Sequence, residues 1–231
     1  MQRFAYDHRN ILVEAERACR GQDYRCPECT HLLHVKISDY YRTHFFHLTD
    51  PHCRHHHKNH LHLAVQQQLC SLLPKGEVTI EKIFPEIHRI ADLVWKPKRL
   101  VIEVQCSPIP LKEILERNRD YSKMNFRVLW VLHDRRFNQH RVSAAELFLR
   151  GQPSCFTNID IQGNGMLYTQ RETFFKYRRL FKGPPIPLHL EQVIHTPLIF
   201  PPPFPPFKEK CPRHKRHLAL LGLHILKKLS L

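Results

Sequence analysis

Two acidic residues near the middle of the chain have the type and spacing of a divalent-metal site. Asp92 lies near the end of one apolar run, and Glu103 lies in the middle of the next, residues 100–106. Side chains alternate along a strand, so Glu103 and Gln105 share a face, and Asp92 on a neighbouring hairpin strand could lie beside Glu103. Two buried carboxylates repel each other unless a cation lies between them. The pattern predicts a Mg²⁺ or Mn²⁺ site, a common device for phosphodiester hydrolysis.

The alternative interpretation is that both acids are solvated at the ends of their strands. A Glu and a Gln inside an apolar, β-branched run are costly to bury without partners. Such a cost is more plausible where function requires it. The run that contains Glu103 and Gln105 therefore favours the metal site.

A second set of candidate ligands lies nearer the N-terminus. Cys26 and Cys29 have two residues between them, and so do His44 and His47. Two thiolates and two imidazoles suit tetrahedral Zn²⁺, and the spacing favours a compact ribbon or knuckle over a DNA-reading finger. The other interpretations are a chance Cys pair in a loop and a solvated, basic helix entry at residues 55–57. The following stretch could supply an alternative ligand from His52, Cys53, His55, His56 or His57.

The charge of the chain restricts its partners. Its 231 residues include 36 Lys and Arg against 21 Asp and Glu, a net charge of +15. Such an excess favours nucleic acid, with an anionic membrane surface as the alternative. We find no apolar run that could span a bilayer and no secretory signal, so we expect a cytoplasmic protein. In a reducing compartment the eight Cys indicate one metal-binding pair and scattered apolar residues.

Hydrophobic periodicity predicts the elements that must position these residues. The order gives an α/β fold, a mixed sheet flanked by helices, with a right-handed βαβ crossover between residues 100–106 and 126–132. The predicted helices are 11–20, 57–73, 111–123 and 142–149, the predicted strands are 78–84, 87–95, 100–106 and 126–132, and residues 154–181 should hold two short strands and a helix.

The C-terminal part of the chain has a different composition. Residues 183–207 contain nine of the eighteen Pro and should form an extended strap. Residues 208–231 carry seven Lys or Arg against one Glu, and 217–229 predict a short amphipathic basic helix. We therefore divide the chain into a zinc-binding module (1–56), a core (57–150), a C-terminal part of the core or accessory segment (151–182), and a Pro-rich strap with a basic tail (183–231).

Several of these motifs resemble the competence protein CoiA family. Ala15-Glu16-Arg17-Ala18, Tyr24-Arg25-Cys26-Pro27-Glu28-Cys29 and His44-Phe45-Phe46-His47 are similar to its N-terminal metal-binding module. Arg89-Ile90-Ala91-Asp92 and Val101-Ile102-Glu103-Val104-Gln105-Cys106-Ser107-Pro108-Ile109, with a following helix that carries Arg117 and Tyr121, are similar to its nuclease domain. The resemblance covers roughly residues 12–133.

The resemblance implies a restriction-endonuclease-like core of the PD-(D/E)xK superfamily. Asp92 and Glu103 match its metal-binding acids, and Gln105 stands where many members carry Lys. The resemblance also implies Mg²⁺ or Mn²⁺ at this site and Zn²⁺ in the N-terminal module. It implies a role in natural transformation, with single-stranded DNA and competence or recombination proteins as partners. The helix over 57–73 has no acid, so Glu81 or Glu86 would have to compensate.

Contacts with DNA are predicted outside the two acids. Arg117 and Tyr121 could contact the phosphate, although a solvated helix face is the alternative. Phe174, Phe175 and Tyr177 could stack unpaired bases, but core packing is the preferred interpretation. Phosphate neutralisation is expected from the basic tail and from Arg54, Lys58, Arg178 and Arg179.

Three functions remain open from the sequence. The first is a metal-dependent DNA nuclease or DNA-processing enzyme. The second is a weak or inactive nuclease fold that acts as a DNA-binding adaptor. The third is a basic protein that docks at the membrane uptake apparatus through its C-terminal helix and Pro-rich strap.

Overall fold

The computed structural model of the chain describes residues 2–39, 43–48, 53 and 58–190. Three α-helices, fourteen strands and two short 3₁₀ turns occur within these ranges. In chain order they are β1 (Phe4–Tyr6), β2 (Leu12–Glu14), a 3₁₀ turn (Ala15–Arg17), β3 (Tyr24–Arg25), β4 (Leu32–Lys36), β5 (His44–His47), α1 (His60–Ser71), β6 (Val78–Phe84), a 3₁₀ turn (Pro85–Ile87), β7 (Arg89–Trp95), β8 (Leu100–Gln105), α2 (Leu111–Lys123), β9 (Arg127–His133), α3 (Ala144–Leu149), β10 (Ser154–Thr157), β11 (Leu167–Thr169), β12 (Glu172–Phe175), β13 (Arg178–Lys182) and β14 (Ile186–Pro187).

The described strands form two sheets and a separate hairpin. The N-terminal sheet has the order β2-β1-β3-β4-β5, and the larger sheet has the order β14-β11-β10-β9-β8-β7-β6. In the larger sheet β6, β7 and β8 are antiparallel neighbours, whereas β8, β9 and β10 run parallel. Helix α2 connects the parallel pair β8 and β9, as a crossover requires. The predicted mixed sheet flanked by helices is confirmed.

Each face of the larger sheet packs against a different helix. Val65 and Leu69 of α1 belong to a buried cluster with Ile102 of β8. Ile114 and Tyr121 of α2 belong to a second cluster that includes the neighbouring Val101 and also Trp130. Successive strand residues point to opposite faces. Glu103 therefore lies on the face that α2 covers, next to residues that face α1.

Two parts of the secondary structure differ from the sequence-based expectation. The predicted helix at 11–20 is replaced by β2 and a 3₁₀ turn, because Asp7 accepts the Ile11 backbone N–H at 2.8 Å and the chain folds back into a β1–β2 hairpin. The helix expected within 154–181 is also absent, since this segment, described throughout, forms four strands. Strand pairing outweighs local helix propensity in both places.

The C-terminal extension is described only in part. Its first residues include β14, which pairs with β11 at one edge of the larger sheet. The rest of the predicted strap and the basic helix predicted at 217–229 lie outside the described residues. No helix in the described ranges is long and apolar enough to cross a membrane.

Candidate nuclease site and metal-ligand cluster

Asp92 is fastened to the strand that carries Glu103. The last paired residues of β7 and β8 at this end are Leu93 and Ile102. Asp92 is the residue just before Leu93, at the point where the two strands separate. Its Oδ2 accepts a hydrogen bond from the backbone N–H of Val104 at 2.8 Å. Both Asp92 and Glu103 are buried, with 3% and 1% of their surfaces exposed. The sequence-based expectation that these acids lie on adjoining strands is met by this contact.

Three polar side chains converge on Asp92. The Nζ of Lys58 lies 2.8 Å from Asp92 Oδ1, and His62 Nε2 lies 3.1 Å from the same oxygen. Gln66 Nε2 donates to the Asp92 carbonyl at 2.6 Å. Burial alone would raise the pKa of Asp92, but the charges of His62 and Lys58 outweigh it and hold that pKa well below its usual value. Asp92 is therefore ionised and fixed in place.

Lys58 was assigned to DNA phosphates on sequence grounds, and the structure corrects that assignment. Its side chain is 7% exposed, and its ammonium lies 3.0 Å from Glu81 Oε1 as well as beside Asp92. Glu81 is also buried, and its backbone φ is 51°. Two of the residues that contact Asp92, His62 and Gln66, are one helical turn apart on α1, and Lys58 precedes the helix N-cap Asn59. Their contacts with Asp92 were not predicted from the sequence.

Glu103 is held by the other helix. Its Oε2 lies 2.6 Å from Arg117 Nη1, and its Oε1 accepts a hydrogen bond from the Tyr121 hydroxyl at 2.6 Å. Burial raises the pKa of Glu103 to about 7; Asp92 adds to the rise, and Arg117 and Tyr121 oppose it. The predicted phosphate contacts need correction here. Tyr121 is completely buried and Arg117 nearly so, hence both orient Glu103 and neither forms a solvated helix face.

The two acids do not share one set of ligating atoms. Asp92 is bound from the α1 side and Glu103 from the α2 side, although the charge of Asp92 still reaches Glu103. In the described ranges no group of three or more Asp, Glu, His or Cys ligands converges on Asp92. Carboxylate oxygens suit Mg²⁺ or Mn²⁺. An ion between them would have to displace a contact of Lys58 or Arg117, which supply the positive charge in this structure.

Gln105 ends the strand two residues after Glu103. Its Nε2 donates to the Ser107 carbonyl at 2.7 Å and lies 3.3 Å from the Ser107 hydroxyl. The side chain is half-buried, and a residue two positions along a strand from Glu103 shares its face. Gln105 therefore lies beside the acids, with its amide engaged by the turn that leads into α2. Of the two acids considered as substitutes for a helical acid, Glu81 is in the site and Glu86 is exposed.

The N-terminal cluster contains four ligands, and one differs from the prediction. The ligand atoms of Cys26, Cys29, His47 and Cys53 all lie within 4.8 Å of one another. Cys26 Sγ is 3.7 Å from Cys53 Sγ, too far for a disulfide and close to the separation of about 3.8 Å between two thiolates on one tetrahedral Zn²⁺. Cys29 Sγ is 3.1 Å from His47 Nε2. The hydrogen bond with Cys53 lowers the pKa of Cys26 to about 5, which favours the thiolate that a metal requires.

Cys53 takes the place that was predicted for His44. His44 and His47 lie three residues apart on β5, and alternation along a strand sends side chains at an odd separation to opposite faces. Cys53 was one of the alternative ligands in the His-rich stretch, and its thiol is 3% exposed. The cluster could hold a metal such as zinc. Its donors, three thiols and one imidazole, match a closed structural zinc site.

The loop between the two cysteines also contacts the larger sheet. Glu28 Oε1 accepts a hydrogen bond from the backbone N–H of Ile90 at 3.2 Å, two residues before Asp92. Burial raises the pKa of Glu28, and the charges of Arg117 and Arg89 oppose that rise. The backbone N–H of Arg3 approaches Glu81 Oε2 at 3.3 Å. The metal-ligand cluster and the acidic site are therefore joined by buried polar contacts.

Part of the chain is similar to a known protein family. The family model described as competence protein CoiA, nuclease-like domain, matches residues 58–179. The matched region starts at Lys58 and contains Asp92, Glu103 and both helices that hold them. Comparisons with curated proteins and with solved structures found no match.

Proposed function

This chain belongs to the family of the CoiA nuclease-like domain, and from that premise we propose that it is a metal-dependent DNA nuclease or DNA-processing protein. We propose that it acts in the cytoplasm on incoming single-stranded DNA in natural transformation, with competence or recombination proteins as partners. The observation that supports the activity most is the 2.8 Å hydrogen bond from Val104 N–H to Asp92, which holds one acid against the strand that carries the other.

The proposed site divides its work between carboxylates and cations. Asp92 and Glu103 would hold Mg²⁺ or Mn²⁺, which when bound lowers the pKa of a water and withdraws charge from the phosphate. Lys58 supplies the ammonium that Gln105 lacks, since its Nζ lies 2.8 Å from Asp92. Lys58 keeps Asp92 ionised and in place, while the Gln105 amide would orient water. Arg117 is a positioning residue that keeps Glu103 in place.

The N-terminal cluster has a structural role in this proposal. We propose that Cys26, Cys29, His47 and Cys53 bind Zn²⁺ and so fix the loop that carries Glu28. Four protein ligands leave no open position for a substrate, as in structural zinc sites. The zinc module then supports the nuclease site without taking part in hydrolysis.

Cleavage by matched variants tests the proposed activity. Purified wild-type protein with Mg²⁺ or Mn²⁺ should cut labelled single-stranded DNA, and Asp92→Asn and Glu103→Gln should lower the rate by about a hundredfold or more. Glu86→Gln is the matched control, because Glu86 is an exposed acid on the turn before β7 and should leave the rate unchanged. Equal cleavage by all four proteins would assign the activity to a contaminant and overturn the proposal.

One observation favours a second function, that of a catalytically inactive DNA-binding adaptor. Lys58 and Arg117 already lie at ion-pair distance from the two acids, so each carboxylate has a cationic partner without an added ion. If wild-type protein binds DNA but makes no cuts with either metal, and Asp92→Asn binds DNA equally well, the adaptor replaces the enzyme.

A further inference from the structure

The hairpin formed by β12 and β13, here called the aromatic hairpin (residues 172–182), presents aromatic rings to solvent. Phe175, Tyr177 and Phe181 are 62%, 57% and 54% exposed. Aromatic side chains normally bury their large apolar surface, so three exposed rings on one short hairpin point to a binding surface. Core packing, the preferred interpretation from the sequence, is wrong for Phe175 and Tyr177.

Strand pairing places two of these rings on the same face. Phe181 pairs with Thr173, and Phe175 follows Thr173 by two residues, so Phe175 and Phe181 are diagonal neighbours on the outer face. Arg178 is opposite Phe175 and shares that face. The register shift between Thr173 and Phe174 makes this arrangement possible, because it inserts one extra residue into β13.

The opposite face anchors the hairpin to the body of the protein. Arg179 is 4% exposed and lies 2.6 Å from Glu146 Oε1 and 2.8 Å from Glu172 Oε2. Its guanidinium also stands over the Phe174 ring, 5.3 Å from the centroid. Buried ion pairs of this kind hold a segment in one orientation. Arg179 is therefore a structural residue, which corrects its predicted role in binding phosphate.

The charge of the exposed surface is uniformly positive. The one acid in residues 171–182 is Glu172, and it is buried in the anchor. Arg178 lies opposite Arg141 in an isolated antiparallel β-bridge, and both residues are exposed. Like charges on adjoining strands repel each other, so an anionic ligand between them would be stabilised. The other exposed cations are Arg171, Lys176 and Lys182.

The aromatic hairpin is attached to the segment that follows β9. Because β8 and β9 are parallel, with Gln105 opposite Leu132, their C-terminal ends meet at the same edge. The chain leaves β9 there, and residues 140–142 then pair with the hairpin through Arg179 N–H to His140 and Val142 N–H to Tyr177. The hairpin follows β11, which runs antiparallel to β10 and so leads away from that edge. Its exposed face is therefore a surface of its own.

We propose that the aromatic hairpin binds single-stranded DNA, with Phe175, Tyr177 and Phe181 stacking on unpaired bases and Arg178 and Arg141 binding phosphates. The inference rests on the proposed function for its choice of DNA over other polyanions. Base stacking on aromatic rings is tolerant of sequence, and exposed cations along the backbone add a salt-dependent attraction. Duplex DNA offers no unpaired bases, so the rings should distinguish single strands from duplexes.

Binding without added Mg²⁺ or Mn²⁺ tests this proposal separately from cleavage. The full chain is titrated into a fluorescein-labelled oligothymidylate and into a duplex of equal length, and anisotropy is recorded. The double variant Phe175→Ala/Phe181→Ala should weaken single-strand binding by about tenfold or more and leave duplex binding within about twofold. Arg178→Ala should weaken both and lower the slope of log affinity against log salt by about one.

Leu180→Ala is the matched control, because Leu180 is 66% exposed on the same hairpin but is not aromatic. Its affinity should equal that of the wild type. Unchanged single-strand affinity in the aromatic variant would overturn the proposal. The proposal would also fall if that variant lost thermal stability while keeping its DNA affinity, since the rings would then contribute to packing and not to binding. If the wild type does not cut DNA but the aromatic variant loses single-strand binding, the proposed nuclease activity is refuted and the proposed hairpin site is supported.

Discussion

At the scale of single residues, the candidate site is organised around buried charge. Burying an ionised carboxylate is costly unless cations and hydrogen bonds replace water. Asp92 is compensated by Lys58 and His62, and its pKa is low. Glu103 has Arg117 and Tyr121, yet burial still raises its pKa to about 7. An acid kept at such a position lowers stability, which is expected where the acid serves a function.

Replacing Glu103 should therefore stabilise the metal-free protein at high pH. The folded-state pKa of Glu103 lies above its unfolded value of 4.5, so the native state binds more protons between pH 4.5 and about 7. The contribution of Glu103 to the unfolding free energy falls as pH rises through that window, by on the order of 3 kcal/mol. Glu103→Gln lacks this titration.

Urea unfolding of both proteins without added Mg²⁺ or Mn²⁺ at pH 4.5 and pH 8 measures the effect. The two proteins should have similar stability at pH 4.5, and Glu103→Gln should be the more stable at pH 8. A stability difference between them that does not change with pH would show that Glu103 titrates normally.

Lys58 should be essential for the stability of the acidic site. Lys58→Met leaves Asp92 and Glu81 buried without the shared ammonium and should cost about 3–5 kcal/mol. Mn²⁺ should then raise the melting temperature of the variant more than that of the wild type, since the vacated position suits a cation. Lys75→Met, at an exposed lysine, is the control and should melt with the wild type. If Mn²⁺ raised the melting temperatures of the wild type and Lys58→Met equally, ion binding at the Lys58 position would be excluded.

At the scale of elements, strands and helices decide which residues become ligands. Cys53→Ser should remove most of the bound zinc, because Cys53 Sγ is part of the four-ligand cluster. His44→Ala should keep a full equivalent, because His44 lies on the other face of β5. Zinc content of the purified proteins, measured by mass spectrometry, separates these outcomes. Loss of zinc in His44→Ala with retention in Cys53→Ser would restore the ligand set predicted from the sequence.

The periodicity of apolar residues and the positions of Pro allowed much of the core to be predicted. Strand β6 and helix α2 have the predicted bounds, because apolar periodicity is strong there and Pro108 and Pro110 mark the start of α2. The acids Asp92 and Glu103 were selected for the same reason. His44 was misassigned because the His pair was interpreted from its spacing alone, whereas the segment is a strand on which residues three apart face opposite sides. The contacts of Lys58, His62 and Gln66 with Asp92 were not predicted, because the sequence does not show which strand the polar side of α1 faces.

Arg89 fastens α2 to the larger sheet and was given no role from the sequence. Its side chain is 1% exposed and lies 2.7 Å from Glu113 and 2.9 Å from Asp120. Arg89→Met leaves these two carboxylates without their buried partner and should lower the unfolding free energy by about 3 kcal/mol. Urea unfolding at pH 7 checks the value, and Arg119→Met on the exposed side of α2 serves as control. If Arg89→Met lost no more unfolding free energy than Arg119→Met, the Arg89 contacts would not stabilise the fold.

At the scale of the whole molecule, polar contacts connect the N-terminal module to the nuclease-like sheet. Glu28 reaches from the Cys26–Cys29 loop to the backbone of Ile90, and Arg3 N–H approaches Glu81. Chelation of the proposed zinc should release Glu28 and speed amide exchange at Ile90. The Val104 amide, which donates to Asp92 within the sheet, should stay protected. Hydrogen exchange with and without chelator measures the protection of both amides. Unchanged protection at Ile90 would show that the two parts are not coupled.

The separation of these contacts along the chain also sets the order in which they can form. Glu103 meets Arg117 and Tyr121 across 14 and 18 residues, and Asp92 meets His62 across 30. Glu28 meets Ile90 across 62. Closing a longer loop costs more entropy, so the contact that joins the cysteine loop to the sheet should close late, after both acids have been clamped. Refolding would then pass through a species whose acids are in place while the N-terminal module is still undocked.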